Sequence, residues 1–263
     1  MFLLLFVNWG VEAFKWKIAI SKIEDIPFRK AFGITLTAIT ASLVTPNRIG
    51  EVPVRALLLN KNMFKELTSR TVVASFSQLI ITVLIGALAF GFVGEIFDFK
   101  INTIIIYLSS GVLSFIVLLM FFNSRGVKRL IYLIPYFSKN KIAESLDDFT
   151  FQDKLVLLLY SLLRYLVFSI QFYLVLLTFG VQLKGFYEIA LIPVCFMITS
   201  IIPTLMLSEI GVRSSVAIII FSVVSEESLP IVLASVVLWI INVAIPSVIG
   251  LVNLNKLKLI KQP

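Results

Sequence analysis

"TPNRIGEVPVR", residues 45–55, sits between two oily stretches and carries Arg48, Glu51 and Arg55 between Pro46 and Pro53. Ala31 to Val44 upstream holds no charge, and Ala56 to Leu59 downstream is apolar again. Three charges and two helix breakers in such a setting need a reason. Gly50 permits a tight turn and a close backbone approach, and the prolines interrupt helical hydrogen bonding. The stretch therefore reads as the polar tip of a broken helix.

The rest of the chain says where that tip lies. Of 263 residues, 59% are hydrophobic and 14% charged, and the mean hydropathy is +1.02. A water-soluble domain needs more polar surface than this. Several uncharged runs reach the length of about 20 residues that crosses a bilayer. A transmembrane barrel would show short alternating segments instead. The chain is read as an all-α polytopic membrane protein with about six to eight transmembrane segments.

Six stretches read as spans: Phe2–Ile20, Thr71–Val93, Ile101–Phe122, Leu155–Phe179, Ile189–Leu207 and Leu229–Leu251. Ala31–Thr45, 15 residues long, covers roughly 22 Å as a helix and is too short to cross alone. Val216–Val224 is shorter still. Both adjoin a charged tip containing glycine, as re-entrant or broken helices do. Residues 1–263 read as a single membrane domain. Its halves are 1–122 and 155–263, and a cytoplasmic amphipathic connection, 123–154, joins them. "VKRLIYLIPYF" and "KIAESLDDFTFQDKL" in that connection read as two interfacial helices.

Basic residues set the orientation. Lys15–Arg70 holds ten Lys and Arg, Asn123–Lys154 six, and the tail "NKLKLIKQP" three. "GEIFDFK", "GVQLKGFYE" and "SEES" together hold only Lys100 and Lys184. The positive-inside rule makes the first three regions cytoplasmic, with the C-terminus inside and the N-terminus outside. No cleavable signal explains an outside N-terminus, which points to a further helix ahead of Met1. The second half then repeats the first upside down. The tips rhyme as well, "NRIGEVPVR" against "SEIGVRSS", and together these features predict an inverted repeat with two oppositely oriented broken elements.

Charges inside a membrane are costly, at least about 2.5–3.5 kcal/mol each at the centre, and mark cavities or partners. The candidate binding residues are therefore Arg48, Gly50, Glu51, Arg55, Glu209, Gly211, Arg213, Arg164 and Glu12. A broken helix end beside arginines suits phosphate. The competing reading of Arg48 and Arg55 is a cytoplasmic loop that obeys the charge rule. Glu209 and Arg213, four apart, can pair along one turn. Arg164 lies near mid-depth, where Glu12 is its expected partner. Gln78, Gln171 and Asn242 are expected to bond between helices, and Trp9, Trp16 and Trp239 to pack or sit at the interface.

Several chemistries are excluded. The chain has no histidine and one cysteine, Cys195, so a Ser-His-Asp triad, a Cys-His pair, His-ligated zinc and an internal disulfide are impossible. Cys195 reads as a small core residue. There is no phosphate-binding Gly-rich loop and no dinucleotide fingerprint. No cofactor, metal site or catalytic residue is expected. The net charge of +8 points to basic loops on anionic lipid and not to nucleic acid.

"NWGVEAFKWK" (8–17), "TPNRIGEVPVRALLL" (45–59) and "SEIGVRSSVAII" (208–219) resemble, in that order, motifs of the lysylphosphatidylglycerol synthase/flippase transmembrane family. The family's Pro-x-Arg-hydrophobic-Gly-Glu turn with a following Arg is matched by Pro46, Arg48, Gly50, Glu51 and Arg55. Its Gly-hydrophobic-Gly-hydrophobic-Arg-Glu turn is matched in part. Gly211 and Arg213 fit, Ser214 stands in place of the Glu, and Glu209 precedes the turn. The resemblance covers nearly the whole chain. It implies a flippase-like transporter of the cell (inner or plasma) membrane, in a bacterial setting, handling an anionic or aminoacylated phospholipid or a polyprenyl-phosphate-linked lipid. It also implies one more helix at the N-terminus in relatives. With no soluble synthase domain in the chain, aminoacyl-lipid synthesis is not expected. A membrane transferase and a non-catalytic accessory subunit of envelope synthesis remain the alternatives. The partners expected are a phospholipid or isoprenoid lipid, the membrane, and a second copy or an envelope-synthesis enzyme.

Overall fold

A computed structural model describes residues 1–43, 45, 48–97, 103–123, 128–129, 132–133 and 149–260. Every regular element among them is helical. In chain order the helices are α1 (Phe2–Ile20), α2 (Phe28–Ser42), α3 (Glu51–Leu59), α4 (Phe64–Val93), α5 (Thr103–Phe122) and α6 (Phe151–Thr178). They continue with the single turn α7 (Phe186–Ile189), then α8 (Leu191–Ile201), α9 (Met206–Phe221) and α10 (Ser228–Trp239). A π-helical turn, Ile240–Ala244, leads into α11 (Ile245–Ile260).

Among the described residues, four helical stretches are long and apolar enough to cross a membrane: Lys61–Val93, Ile104–Phe122, Phe151–Thr178 and Ser228–Asn253. Two of the six expected spans do not meet that standard. α1 has the length but carries Glu12, Lys15 and Lys17 within it. The span expected over Ile189–Leu207 stops at Ile201, where the chain turns extended at Ile202 and stays so at Leu205. Pro203 sits in this break, and its missing N–H and bulky ring keep α8 from running on into α9. Pro193, by contrast, falls in the first turn of α8, where a proline is tolerated.

The first broken element folds as α2 and α3 around residues 43–50. The backbone of Arg48 there takes φ +56°, the one non-glycine residue with positive φ among those described. Left-handed geometry costs an L-residue about 1–2 kcal/mol, so tertiary contacts must hold Arg48 in place. Gly50 follows and donates its N–H to Thr45 Oγ1 at 3.0 Å. A side chain at Gly50 would stand 2.7 Å from Thr45 Cγ2, so this turn closes around glycine only.

The two halves interlock. α1 packs along α6, α2 along α11 and α8 along α4. Two glycines make the last two contacts close. A Cβ on Gly86 of α4 would meet Met197 Cβ of α8 at 2.3 Å, and one on Gly250 of α11 would meet the Leu36 carbonyl of α2 at 2.1 Å. Each first half of a broken element thus lies against a bare stretch of the long helix from the other half. α5 packs on α4 and turns Ile104, Leu108, Phe115 and other large apolar side chains outward.

Three expectations need correction. Lys15 and Arg70 were counted with the cytoplasmic loops, yet both are buried. Lys15 lies in α1 against Glu12. Arg70 donates to the Ala19 carbonyl at 3.2 Å and lies over the Phe149 ring. Each has found partners inside the fold, so their charge reports packing and not a loop. Gln171 is fully buried, but its amide bonds to nothing among the described residues. Most of the amphipathic connection lies outside the described residues, as does Pro46. Its last part, Phe151–Leu155, forms the start of α6, capped by Thr150 and Asp153 bonding reciprocally.

Candidate functional site

One stripe of α1 sets up the polar centre. Asn8, Glu12 and Lys15 follow the i, i+4, i+7 spacing of a single helix face, and all three are buried. That face looks onto α6. Arg164 of α6 donates Nε to Asn8 Oδ1 at 3.1 Å and Nη1 to Glu12 Oε2 at 2.9 Å. Its guanidinium lies over the Trp9 ring, 4.8 Å from the ring centre. Lys15 Nζ stands 2.8 Å from Glu12 Oε2 and reaches Ser161 Oγ at 3.3 Å. Ser161 is also bonded to Ser77 of α4. On its other side Glu12 accepts from Arg55 Nη1 of α3 at 3.1 Å. Arg55 also pairs with Glu51 one turn earlier and lies over Trp16. One carboxylate, Glu12, therefore ties together three cations from three helices.

A second ion cluster joins the two tips. Arg48 Nη2 donates to both oxygens of Glu209, at 2.8 and 2.7 Å. Arg213, one turn along α9, donates Nε to Glu209 Oε1 at 2.8 Å. Arg48 and Glu209 each stand directly before an Ile-Gly pair, Ile49-Gly50 and Ile210-Gly211. Corresponding positions of the two tips thus meet with opposite charge. The tips also share the pattern Glu-x-x-Val-Arg, 51–55 and 209–213, and in each the Glu and Arg pair along one turn.

Between the clusters lies a cavity of about 190 Å³. Arg48, Arg164 and Arg213 all line it, with Asn8, Trp9, Thr199, Trp239 and Asn242 around them. This volume is room for several waters or a small polar head group. Each arginine keeps donors in reserve. Arg48 commits Nη2, Arg164 commits Nε and Nη1, and Arg213 commits Nε and Nη2. The remaining guanidinium N–H groups, including Nη1 of Arg48, Nη2 of Arg164 and Nη1 of Arg213, are not used in these ion pairs. The buried indole N–H groups of Trp9 and Trp239, which donate, and Oε1 of Gln78, which accepts, have no partner among the described residues. Buried polar atoms normally have partners, so two indole donors and an amide acceptor left open beside three arginines are unusual for packing alone. Asn8 is held by Asn242 at 2.7 Å, and the π-helical turn carries Asn242 to the wall.

Two neighbouring spaces adjoin this cavity. A polar one of about 200 Å³ lies behind Arg48 and Arg213 and is lined also by Thr45, Thr204 and Glu209. An apolar groove of about 550 Å³ begins at Tyr165, which lines both the groove and the arginine cavity. Leu88, Phe92, Leu166, Ile170 and Phe186 form much of its surface.

Of the residues singled out from sequence, Arg48, Arg164 and Arg213 converge on the cavity, and Glu209 lines the space behind it. Glu12, Glu51 and Arg55 do not line it. Arg55 is almost fully buried between Glu12 and Glu51, so it braces α1 against α3. Gly211 has open space where a side chain would be, and no close approach depends on it. Asn8, Lys15, Ser161, Thr199 and Ser200 were not singled out. The polar stripe of α1 was a visible signal for the first two. The hydroxyls of the other three resemble any small residues of membrane helices. Trp9, Trp16 and Trp239 are all buried, Trp16 Nε1 bonding Thr71. Cys195 is a core residue, as expected.

A family model described as the lysylphosphatidylglycerol synthase TM region matches residues 1–250. No curated protein and no solved structure matches the chain.

Proposed function

The chain belongs to the lysylphosphatidylglycerol synthase transmembrane family, and from that premise we propose that it is a lipid translocase that holds an anionic head group in the arginine cavity. The observation that carries this reading is the closeness of two unlike spaces, which share Tyr165 as a wall. A cavity with three guanidinium groups lies on one side of Tyr165 and an apolar groove on the other. A lipid is the molecule with both characters, a charged head and a long apolar tail. Arg48, Arg164 and Arg213 supply charge-assisted donors to phosphate oxygens. Glu12 and Glu209 orient those arginines, and the tail lies along the groove or in the bilayer. The Arg48–Glu209 pair spans the two broken elements, so movement of one tip past the other changes access to the head group.

The test is translocation in reconstituted vesicles, using a phosphatidylglycerol labelled on its tail. Arg164→Gln and Arg213→Gln are each expected to slow it by roughly tenfold or more, the scale of one lost charge-assisted hydrogen bond. Unchanged rates in both variants, each still monodisperse and folded, overturn the proposal.

A further inference from the structure

The charges around the cavity do not cancel. In the cluster centred on Glu12, two carboxylates (Glu12 and Glu51) face three cations (Lys15, Arg55 and Arg164). In the cluster between the tips, Glu209 faces Arg48 and Arg213. Each cluster is one positive charge in excess, and each presents its excess to the same space, the first through Arg164 and the second through Arg48 and Arg213. α1, α4, α8 and the α10–α11 segment bring only amides, hydroxyls, indoles and apolar groups to that wall, and Tyr165 of α6 brings a phenol. No further carboxylate from the described residues balances the two charges.

The side chains of Arg48, Arg164 and Arg213 are 24, 20 and 29% exposed, so the excess charge is open to the cavity, where an anion can pair with it in a setting that disfavours unmatched charge. The uncommitted guanidinium N–H groups show where the missing partner would bind. Different lipid head groups answer this excess differently. A phosphodiester carries one negative charge and satisfies one cluster. A zwitterionic head group brings no net charge. An aminoacylated head group adds cations of its own. A phosphate monoester above its second ionisation, or a diphosphate esterified at both ends, carries two negative charges and satisfies both.

We propose that the cavity is matched to a doubly charged phosphate carried on a lipid tail. This rests on the lipid-binding reading above and adds the charge state of the head group. The remaining donors of Arg48, Arg164 and Arg213 come from three separate elements, which suits the several oxygens of a terminal phosphate better than the two free oxygens of a diester. The unpartnered indole N–H groups of Trp9 and Trp239 add donors without adding charge.

The experiment compares ligand-induced thermal stabilisation of the purified full chain in detergent. The probes are dioleoyl phosphatidic acid, a phosphomonoester, dioleoyl phosphatidylglycerol, a phosphodiester with the same tails, and inorganic phosphate. The comparison is made at about pH 8 and about pH 5, on either side of a second phosphate ionisation near about 6. At the higher pH the monoester is expected to bind at least roughly tenfold tighter than the diester, about one charge-pair contact's worth. At the lower pH the preference is expected to shrink to about twofold or less, because the monoester then carries a single charge.

Lys15→Met tests the charge count without touching the cavity wall. It neutralises the Glu12 cluster and should remove most of the monoester preference. Arg213→Gln should do the same from the other cluster, so the test survives if one variant fails to fold. Equal binding of monoester and diester at about pH 8 overturns the charge assignment while leaving lipid binding intact. Stabilisation by inorganic phosphate at the same concentration as by the monoester lipid overturns the assignment to a lipid-borne phosphate. Stabilisation by none of the three overturns this proposal and removes its premise as well.

Discussion

Replacing Glu12 with glutamine removes the carboxylate that three cations share. Glu12 stands 2.8 Å from Lys15, 3.1 Å from Arg55 and 2.9 Å from Arg164, and its side chain is almost wholly buried. The amide is nearly isosteric, so no cavity forms and the loss is electrostatic. Breaking one buried ion pair by deleting a partner costs about 3–5 kcal/mol, because the surviving charge stays buried. Here three cations survive with only Glu51 among them, so that range is a lower bound. At roughly 2–4 °C per kcal/mol for a chain of this size, the melting temperature in detergent should fall by roughly 10 °C. Scanning fluorimetry on the buried tryptophans reads this directly. The double substitution Glu12→Gln with Lys15→Met returns the cluster to its original excess of one. It should recover at least about 1 kcal/mol of the loss, within the usual range of coupling between contacting residues. A single variant melting within about 2 °C of the parent, on the same scale, refutes the shared-carboxylate account. A double variant less stable than the single one refutes it too.

Two further predictions follow from packing. Gly86→Ala and Gly250→Ala should each destabilise by about 1–3 kcal/mol or more, the usual cost of overpacking, since the added methyl meets Met197 or the Leu36 carbonyl. Gly211→Ala should be neutral or stabilising by up to about 1 kcal/mol, because its site in α9 is open and alanine favours a helix. Cys195 is enclosed in the core, so a membrane-permeant maleimide should leave it unmodified in the native protein and label it only after unfolding, as read by mass spectrometry. Rapid labelling of the native chain would show that α8 is not packed as described.

Sequence made the helical membrane class plain, because uncharged runs of such length leave the backbone few alternatives. It also exposed the match of Glu12 with Arg164, which depends only on counting depth along two helices, but it ran one span through Pro203, although the helix in fact stops at Ile201. It misjudged Lys15. Lys15 lies three positions after Glu12 and two before Lys17, and a count of loop charges groups it with Lys17. Helical phase instead places it with Asn8 and Glu12, facing α6. Arg48 and Arg55 were equally hard to tell apart. Both follow a helix break, and which one points to the cavity depends on the left-handed turn at Arg48 and on contact with Glu209, 161 residues away. Local pattern holds no record of such a pairing. The shared Glu-x-x-Val-Arg pattern was present in the chain but means little until both copies form the same i, i+4 pair.

The π-helical turn at Ile240–Ala244 has a consequence for how the last helix is shared. Such a turn inserts one residue beyond the regular winding and so rotates everything after it by roughly 100°. Upstream, α10 shows its face to α6 and α9; downstream, α11 shows its face to α2. A single helix thereby serves two clients on different bearings, and the swivel between them lies at the depth of Asn242. Trp239 and Asn242 flank the arginines because the rod is indexed there, much as a keyed shaft presents two flats at a fixed angle.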